Sequence, residues 1–151
     1  MNSQRYKRPE SVLVVVCTRR GEVLMLRRRE PPDFWQSVTG SLEPGETPRQ
    51  AARRELLEET GIDAEAVDCR YHVEFPILPA WRARYAPGTV FNREHRFRLE
   101  LEAIVDVRLN PVEHRTCRWL PREAAAALAS SATNREAILA YVPASGTGDA
   151  G

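Results

Sequence analysis

Three glutamates in the stretch RRELLEETGI, Glu55, Glu58 and Glu59, stand three and four residues apart. On a helix that spacing stacks them on one face, where like charges repel by a few tenths of a kcal/mol per pair. An arrangement of this kind persists when a ligand rewards it. A divalent cation does so, because hard ions such as Mg2+ take carboxylate oxygens and bridge them to substrate phosphates.

The local sequence supplies the helix that such a site needs. Thr47, Pro48 and Gln50 have the form of an N-cap, a first-turn proline and a capping-box partner, so the helix is predicted to start near Pro48. Gly61 suits the left-handed position just past the C-terminus. Ala52, Leu56 and Leu57 are expected to face the core, and Glu55, Glu58 and Glu59 to look outward.

Around this helix the chain reads as strands. SVLVVVCT is a continuous β-branched run expected to be a buried central strand, with EVLMLRRR as its partner across the RRG turn. PPDFWQSVTG reads as a loop that passes through a short extended piece into Gly40. DCRYHVEFPIL and HRFRLELEAIV alternate apolar and polar residues as half-buried strands do. Between them PAWRARYAPGTVFNRE is predicted to be a long loop, the kind that is usually functional. RTCRWL reads as a last short strand. PREAAAALAS and TNREAILAYV read as helices, the second capped by Thr133 or Asn134. One domain is expected over residues 1–143, followed by a disordered tail over 144–151.

Composition narrows the partners. At 151 residues the chain is long enough for one core without disulfides, and 22 basic against 21 acidic residues leave a net charge of +1. That balance gives no global field to draw in nucleic acid or an anionic membrane, so neither is expected as a partner. Cys17, Cys69 and Cys117 are far apart and form no C-x-x-C pair, which argues for reduced thiols. The polar N-terminus and the brevity of VLVVVC, too short for a signal-peptide core or a span, lead to the expectation of a cytoplasmic protein.

Read as a pattern, residues 40–62 fit G-x5-E-x7-R-E-U-x-E-E-x-G-U, U being aliphatic, with Gly40, Glu46, Arg54, Glu55, Leu56, Glu58, Glu59, Gly61 and Ile62 in the fixed positions. A chance match is on the order of one in a million, and the stretch resembles the catalytic box of the Nudix hydrolases. The resemblance implies an α/β/α sandwich with a mixed central sheet and a loop-helix-loop motif, consistent with strands interleaved with helices. It implies Mg2+, with Mn2+ as an alternative, held by Glu55, Glu58 and Glu59 and by the Gly40 carbonyl. One of the glutamates would deprotonate the water that attacks phosphorus. Glu46 would hold the loop in shape, and Arg54 would orient Glu58.

Outside the box, YKRP, VLML followed by RR, DFWQSVTGS, VEF, RYAPG, EH, WL, AAAAL and NR are similar, in that order, to the branch of the family that removes pyrophosphate from dihydroneopterin triphosphate. That likeness implies a small-molecule triphosphate substrate met by Lys7, Arg28 and Thr39. It also implies Glu113 as a further metal ligand, with His114 as its neighbour rather than a ligand. Phe75, Pro76, Ile77 and Leu78 would line the ring pocket, and Ser131 would add a last polar contact. Glu74, Trp35, Trp81 and Tyr85 are further candidates for the ring. Pro76 and Pro79 in FPILPAW depart from the pattern and stiffen that wall. Two enzymatic alternatives keep the fold: hydrolysis of oxidised or ordinary nucleoside triphosphates, and hydrolysis of RNA 5′ triphosphate ends. A non-catalytic nucleotide-sensing module is a third, although such modules usually lose the glutamates retained here.

Overall fold

The computed structural model describes residues 6–144; the tail expected over 144–151 lies, from residue 145 onward, outside the described residues. The chain forms β1 (Glu10–Thr18), β2 (Glu22–Arg28), β3 (Trp35–Gln36), β4 (Val38–Ser41), α1 (Pro48–Thr60), β5 (Val67–Pro76), β6 (Phe91–Leu101), β7 (His114–Pro121), α2 (Arg122–Leu128) and α3 (Ala132–Tyr141). A short 3-10 helix of six residues, Pro79–Arg84, lies between β5 and β6.

Seven strands make one mixed sheet. β1 runs parallel to β6 along its whole length and antiparallel to β2 and β4, while β7 and β3 pair with β2 and β5 closes the far edge. β1 is central because both its faces are covered. Val12, Val14 and Val16 pack with Leu24, Leu26, Val38, Phe97 and the α1 residues Ala51, Ala52 and Leu56. Leu13, Val15 and Cys17 pack on the other side with Ala125, Ala137 and Ile138 of α2 and α3. This is the expected α/β/α sandwich, and it explains why VLVVVC, residues 12–17, is apolar at every position rather than at alternate ones.

The catalytic-box helix has the predicted ends. Thr47 accepts from the Gln50 amide, Gln50 returns a bond to the Thr47 amide, and Gly61 takes a left-handed φ of 78° while its N–H bonds to Leu57. Its faces differ from expectation. Leu57 is 48% exposed and Ala51 takes the core position instead. Two of the three glutamates turn inward, as described below.

Three boundaries also move. β6 begins at Phe91 rather than His95, so the loop before it is shorter and partly ordered as the 3-10 turn. It ends at Leu101, leaving Ile104 and Val105 exposed. β5 is a largely exposed edge strand, not a half-buried one. α3 is capped by Ser131, whose hydroxyl accepts from the Asn134 amide; Asn134 is buried and its side chain bonds to Ser37. Cys17 is buried, Cys69 and Cys117 are partly so, and all three thiols are free. Among the described residues no helix is long and apolar enough to cross a membrane.

Because Thr47 and Gln50 satisfy two helix-end donors at once, Thr47→Ala is expected to lower stability by about 1 kcal/mol. Urea unfolding checks this, with the midpoint falling and the slope unchanged.

Candidate active site

α1 packs against β1 and β4, and its last turns carry the acidic side chains into the seam between them. The expectation that Glu55, Glu58 and Glu59 all face solvent fails for two of them. Glu55 is 9% exposed and Glu59 only 2%, while Glu58 remains open. The helix pitch sets this outcome, because Glu55 and Glu59 lie on the same line as the core residues Ala52 and Leu56.

The two inward carboxyls meet, and both titrate above the usual range. Burial is the main cause for each. For Glu59 the bond to Glu55 and the nearby charge of Glu55 add to it, with the Thr39 backbone amide as the donor that opposes the rise. Glu59 shifts furthest, being the more deeply buried. Its Oε1 has no hydrogen-bond partner. A buried acceptor left in this state costs free energy that a cation would recover.

Gly40 makes room for the pair. A Cβ at that position would stand 2.0 Å from Glu55 Oε2, so any side chain would displace the carboxylate. Orphaned oxygen, paired acids and a glycine cradle together fit a hard divalent ion. Among the described residues no three acidic, histidine or cysteine side chains are already gathered into a closed cage. The third acid explains why: Glu58 points away and is bonded by Arg54.

Arg54 is the organising cation. It forms a bidentate pair with Glu46 at 2.7 and 2.8 Å, bonds Glu55 at 2.9 Å and Glu58 at 3.3 Å, and donates to the Ser41 carbonyl at 3.0 Å. Glu46 in turn accepts from the Glu43 amide, which closes the loop ahead of the helix. The bond to Arg54 holds the Glu46 carboxyl below its usual range. Arg54 therefore orients Glu55 more closely than Glu58, the partner expected from sequence. Arg8, which sequence did not single out, bonds the Glu43 and Glu46 carbonyls and so ties the same loop to the start of β1.

Opposite the acids stands a group of cations. Burial lowers the Lys7 pKa, and Arg84 and then Arg28 push it down further, while Glu55 and Glu113 pull it up. Arg28 is likewise lowered by burial and then by Arg84, against the pull of Glu113 and Glu59. Lys7, Arg28 and Glu113 are thus brought to one cleft, as expected. Arg84 is the residue sequence reasoning missed. It ends the 3-10 turn, and its carbonyl accepts from the Lys7 amide at 2.9 Å. Its signal was present in the arginine-rich WRARY segment, but only the fold shows that the loop returns over Lys7. Aromatic rings buttress the group: Lys7 Nζ lies 5.9 Å from the Tyr85 ring centre and the Arg28 guanidinium 5.6 Å from that of Trp81.

The other candidates divide. A β-bulge at Arg27 and Arg28 sets Arg28 opposite His114. His114 is buried, with Nε2 4.0 Å from Glu59 Oε1. Burial and Arg28 bring its pKa down to about 4, so it is neutral beside the acids. The Thr39 hydroxyl is donated to the Val12 carbonyl, leaving only its amide turned to Glu59. Ile77 is buried rather than presented to a ring, whereas Phe75 is half-buried and Pro76 and Leu78 are exposed. Glu74 is exposed and paired with Arg93 across the strand, which removes it as a reader of a ring edge. The Ser131 hydroxyl caps α3 and bonds Thr133.

An acid pair cradled by glycine, pinned by an arginine and faced by cations is the layout expected of the catalytic box, and the NUDIX domain profile matches residues 7–141. The chain belongs to the NUDIX family. It is 48% identical over 148 residues to the dihydroneopterin triphosphate diphosphatase of Escherichia coli (strain K12), covering 94% of this chain and 97% of that one. The Haemophilus influenzae protein of the same name is 41% identical, over 91% and 90% of the two chains. The solved structure of the E. coli dihydroneopterin triphosphate pyrophosphohydrolase superposes with a TM-score of 0.86, covering 92% of this chain and 98% of that one. This NUDIX chain is accordingly a hydrolase of a family that generally uses a divalent metal.

Both Glu55 and Glu59 have folded pKa values above the unfolded value near 4.5. Their contribution to stability is therefore fully present below that pH and is lost as the pH rises through the folded values. Metal-free protein is expected to melt at falling temperature as the pH is raised above about 4.5. Glu59→Gln is expected to flatten that decline and to abolish the stabilisation that added Mg2+ gives the wild type; thermal melts across a pH series with and without the ion check both.

Proposed function

We propose that this chain hydrolyses dihydroneopterin triphosphate to dihydroneopterin monophosphate and pyrophosphate, using Mg2+ held by Glu55 and Glu59. The observation that carries the reading is the gathering of Lys7, Arg28 and Arg84 within electrostatic reach of one another and of the buried acid pair. Its pterin component rests on the relatives' names, which cover nearly the whole chain.

When bound, the ion supplies a Lewis acid and an activated water. The chain's own groups do the rest. Glu55, Glu59 and the Gly40 carbonyl would present oxygens to the ion, joined by Glu113 and by Glu58 once it leaves Arg54. A carboxylate of this group takes the proton from the attacking water. Lys7 meets the triphosphate as a point charge, while Arg28 and Arg84 meet it as planar forks. The aromatic backing of Lys7 and Arg28 limits their movement, so substrate finds them in place.

Of the alternatives, RNA 5′ ends are disfavoured because 22 basic against 21 acidic residues leave a net charge of only +1, without the surplus of cations that a nucleic-acid backbone calls for. A sensing module is disfavoured by the intact glutamates. Localisation in the cytoplasm is part of the proposal and suits a chain with free thiols.

Steady-state rates with dihydroneopterin triphosphate, dATP and 8-oxo-dGTP at matched Mg2+ test the substrate; a preference of more than about tenfold, worth 1.4 kcal/mol, is expected for the pterin. Glu55→Gln and Glu59→Gln are expected to lower kcat by about two orders of magnitude or more. Arg84→Ala should instead raise KM for triphosphates by about tenfold or more with a smaller effect on kcat, as expected for a lost charge-assisted contact.

A further inference from the structure

On the sheet face opposite α1, β6 carries a second buried carboxylate that the catalytic box does not use. Glu94 is 4% exposed, and its neighbour on the same face, Asn92, is equally buried. Glu94 Oε1 and Asn92 Oδ1 both lack hydrogen-bond partners. Two open acceptors, two residues apart on one strand, project to the same side.

The adjacent arginine pairs with Glu94 by charge but does not close a hydrogen bond to Oε1. Arg96 Nε lies 3.8 Å from Glu94 Oε1, beyond hydrogen-bond reach. Its guanidinium is engaged instead by Glu136 at 2.9 Å, by the Thr133 carbonyl at 3.2 Å, and by the Tyr71 ring 5.2 Å away. Glu94 retains a bond from the Thr133 hydroxyl, and burial lifts its pKa to about 7. Arg96 Nε and Glu94 Oε1 are left unjoined at 3.8 Å, each without a hydrogen-bond partner, and Asn92 Oδ1 is open beside them; a buried acceptor in this state costs free energy until a donor reaches it.

Contacts join this spot to the cleft. Ser11 of β1 sits between Ser41 of β4 and Glu94 of β6 in the pairing register, so the three share a face. Asn92 donates its amide to the Ser11 hydroxyl. Ser41 bonds the Tyr85 hydroxyl, and Tyr85 carries Lys7 over its ring. From the other side, the Thr133 hydroxyl that meets Glu94 also bonds Ser131, at the cap of α3. Ser41 and Glu94 are two strand spacings apart, about 10 Å.

We propose that Glu94, with Asn92 beside it, reads the heterocycle of the substrate, its carboxylate accepting the adjacent ring N–H and exocyclic amino group of an amino-pyrimidinone edge. Two parallel N–H donors onto one carboxylate is the geometry that makes arginine pairs strong, and the same edge is present on pterins and on guanine but absent from adenine. The inference deepens the proposed function and rests on it for the identity of the ring. It assigns ring selection to the strand face and phosphate binding to Lys7, Arg28 and Arg84.

Neopterin carries the ring without phosphate, so its fluorescence titration against metal-free protein reads the ring site without catalysis. Wild type is expected to bind it, with guanosine competing and adenosine not. Glu94→Gln, which presents an amide donor to the ring's donors, should weaken neopterin by about tenfold or more. Asn92→Ser should weaken it less, and circular dichroism of both variants guards against misfolding. With dihydroneopterin triphosphate, Glu94→Gln should raise KM by a similar factor while KM for ATP stays unchanged. Equal neopterin affinity in wild type and Glu94→Gln, or no binding by wild type, would overturn the assignment. Failure of wild type to hydrolyse the pterin triphosphate while neopterin still binds through Glu94 would overturn the proposed reaction and leave the ring site standing.

Discussion

The structure depends on holding two carboxylates against each other where water cannot screen them. Glu55 and Glu59 sit at the core-facing edge of α1, and both resist ionisation because burial penalises charge. Neither would remain there on packing grounds alone. Arg54 fixes one of them from the side, the Thr39 amide supports the other, and Gly40 withholds the atom that would push the pair apart. The remainder of the loop, with Glu46 and Arg8, keeps Arg54 aimed. The result is a site strained electrostatically in the absence of a cation, so that ion binding relieves a cost already built into the fold.

The opposite wall repeats the same device with the sign reversed. Burial first, and then the neighbouring charge of Arg84, lowers the pKa of both Lys7 and Arg28. Each wall is unfavourable alone, and the two are complementary only to a ligand that is itself anionic and metal-bound. A free cation group would attract any polyanion; a free acid pair would attract any divalent ion. Facing each other, they favour the combination, which is the state in which a phosphoanhydride is hydrolysed.

Legibility in the sequence followed how local each cause was. The helix over Pro48–Thr60 was readable to the residue because Thr47, Gln50 and Gly61 act within one turn of its ends. The central strand was readable because an unbroken β-branched run has few other uses. Orientation of the glutamates was not, since an outward-facing carboxylate is the ordinary case and only the seam between α1 and β4 makes the inward one tenable. Arg84 was hidden because its neighbour in space, Lys7, is remote in sequence and the loop's return is set by a backbone bond, Lys7 to Arg84. Ser131 displaced Thr133 and Asn134 as a cap for a tertiary reason: Asn134 is held in the interior by Ser37.

The charged residues of β6 illustrate the same limit from the side of strand patterns. In FNREHRFRLEL, alternation suggests one wet face and one dry face, yet Glu94 and Arg96 are on a face that α3 covers. An α/β/α architecture has no solvent face at its central strands, so polar residues there must be matched internally or by a ligand. Arg96 is matched at Nη2 by Glu136 and the Thr133 carbonyl while its Nε stays open; Glu94 and Asn92 retain open acceptors. The same reasoning that makes the unpartnered oxygen of Glu59 informative about a cation makes that of Glu94 informative about donors.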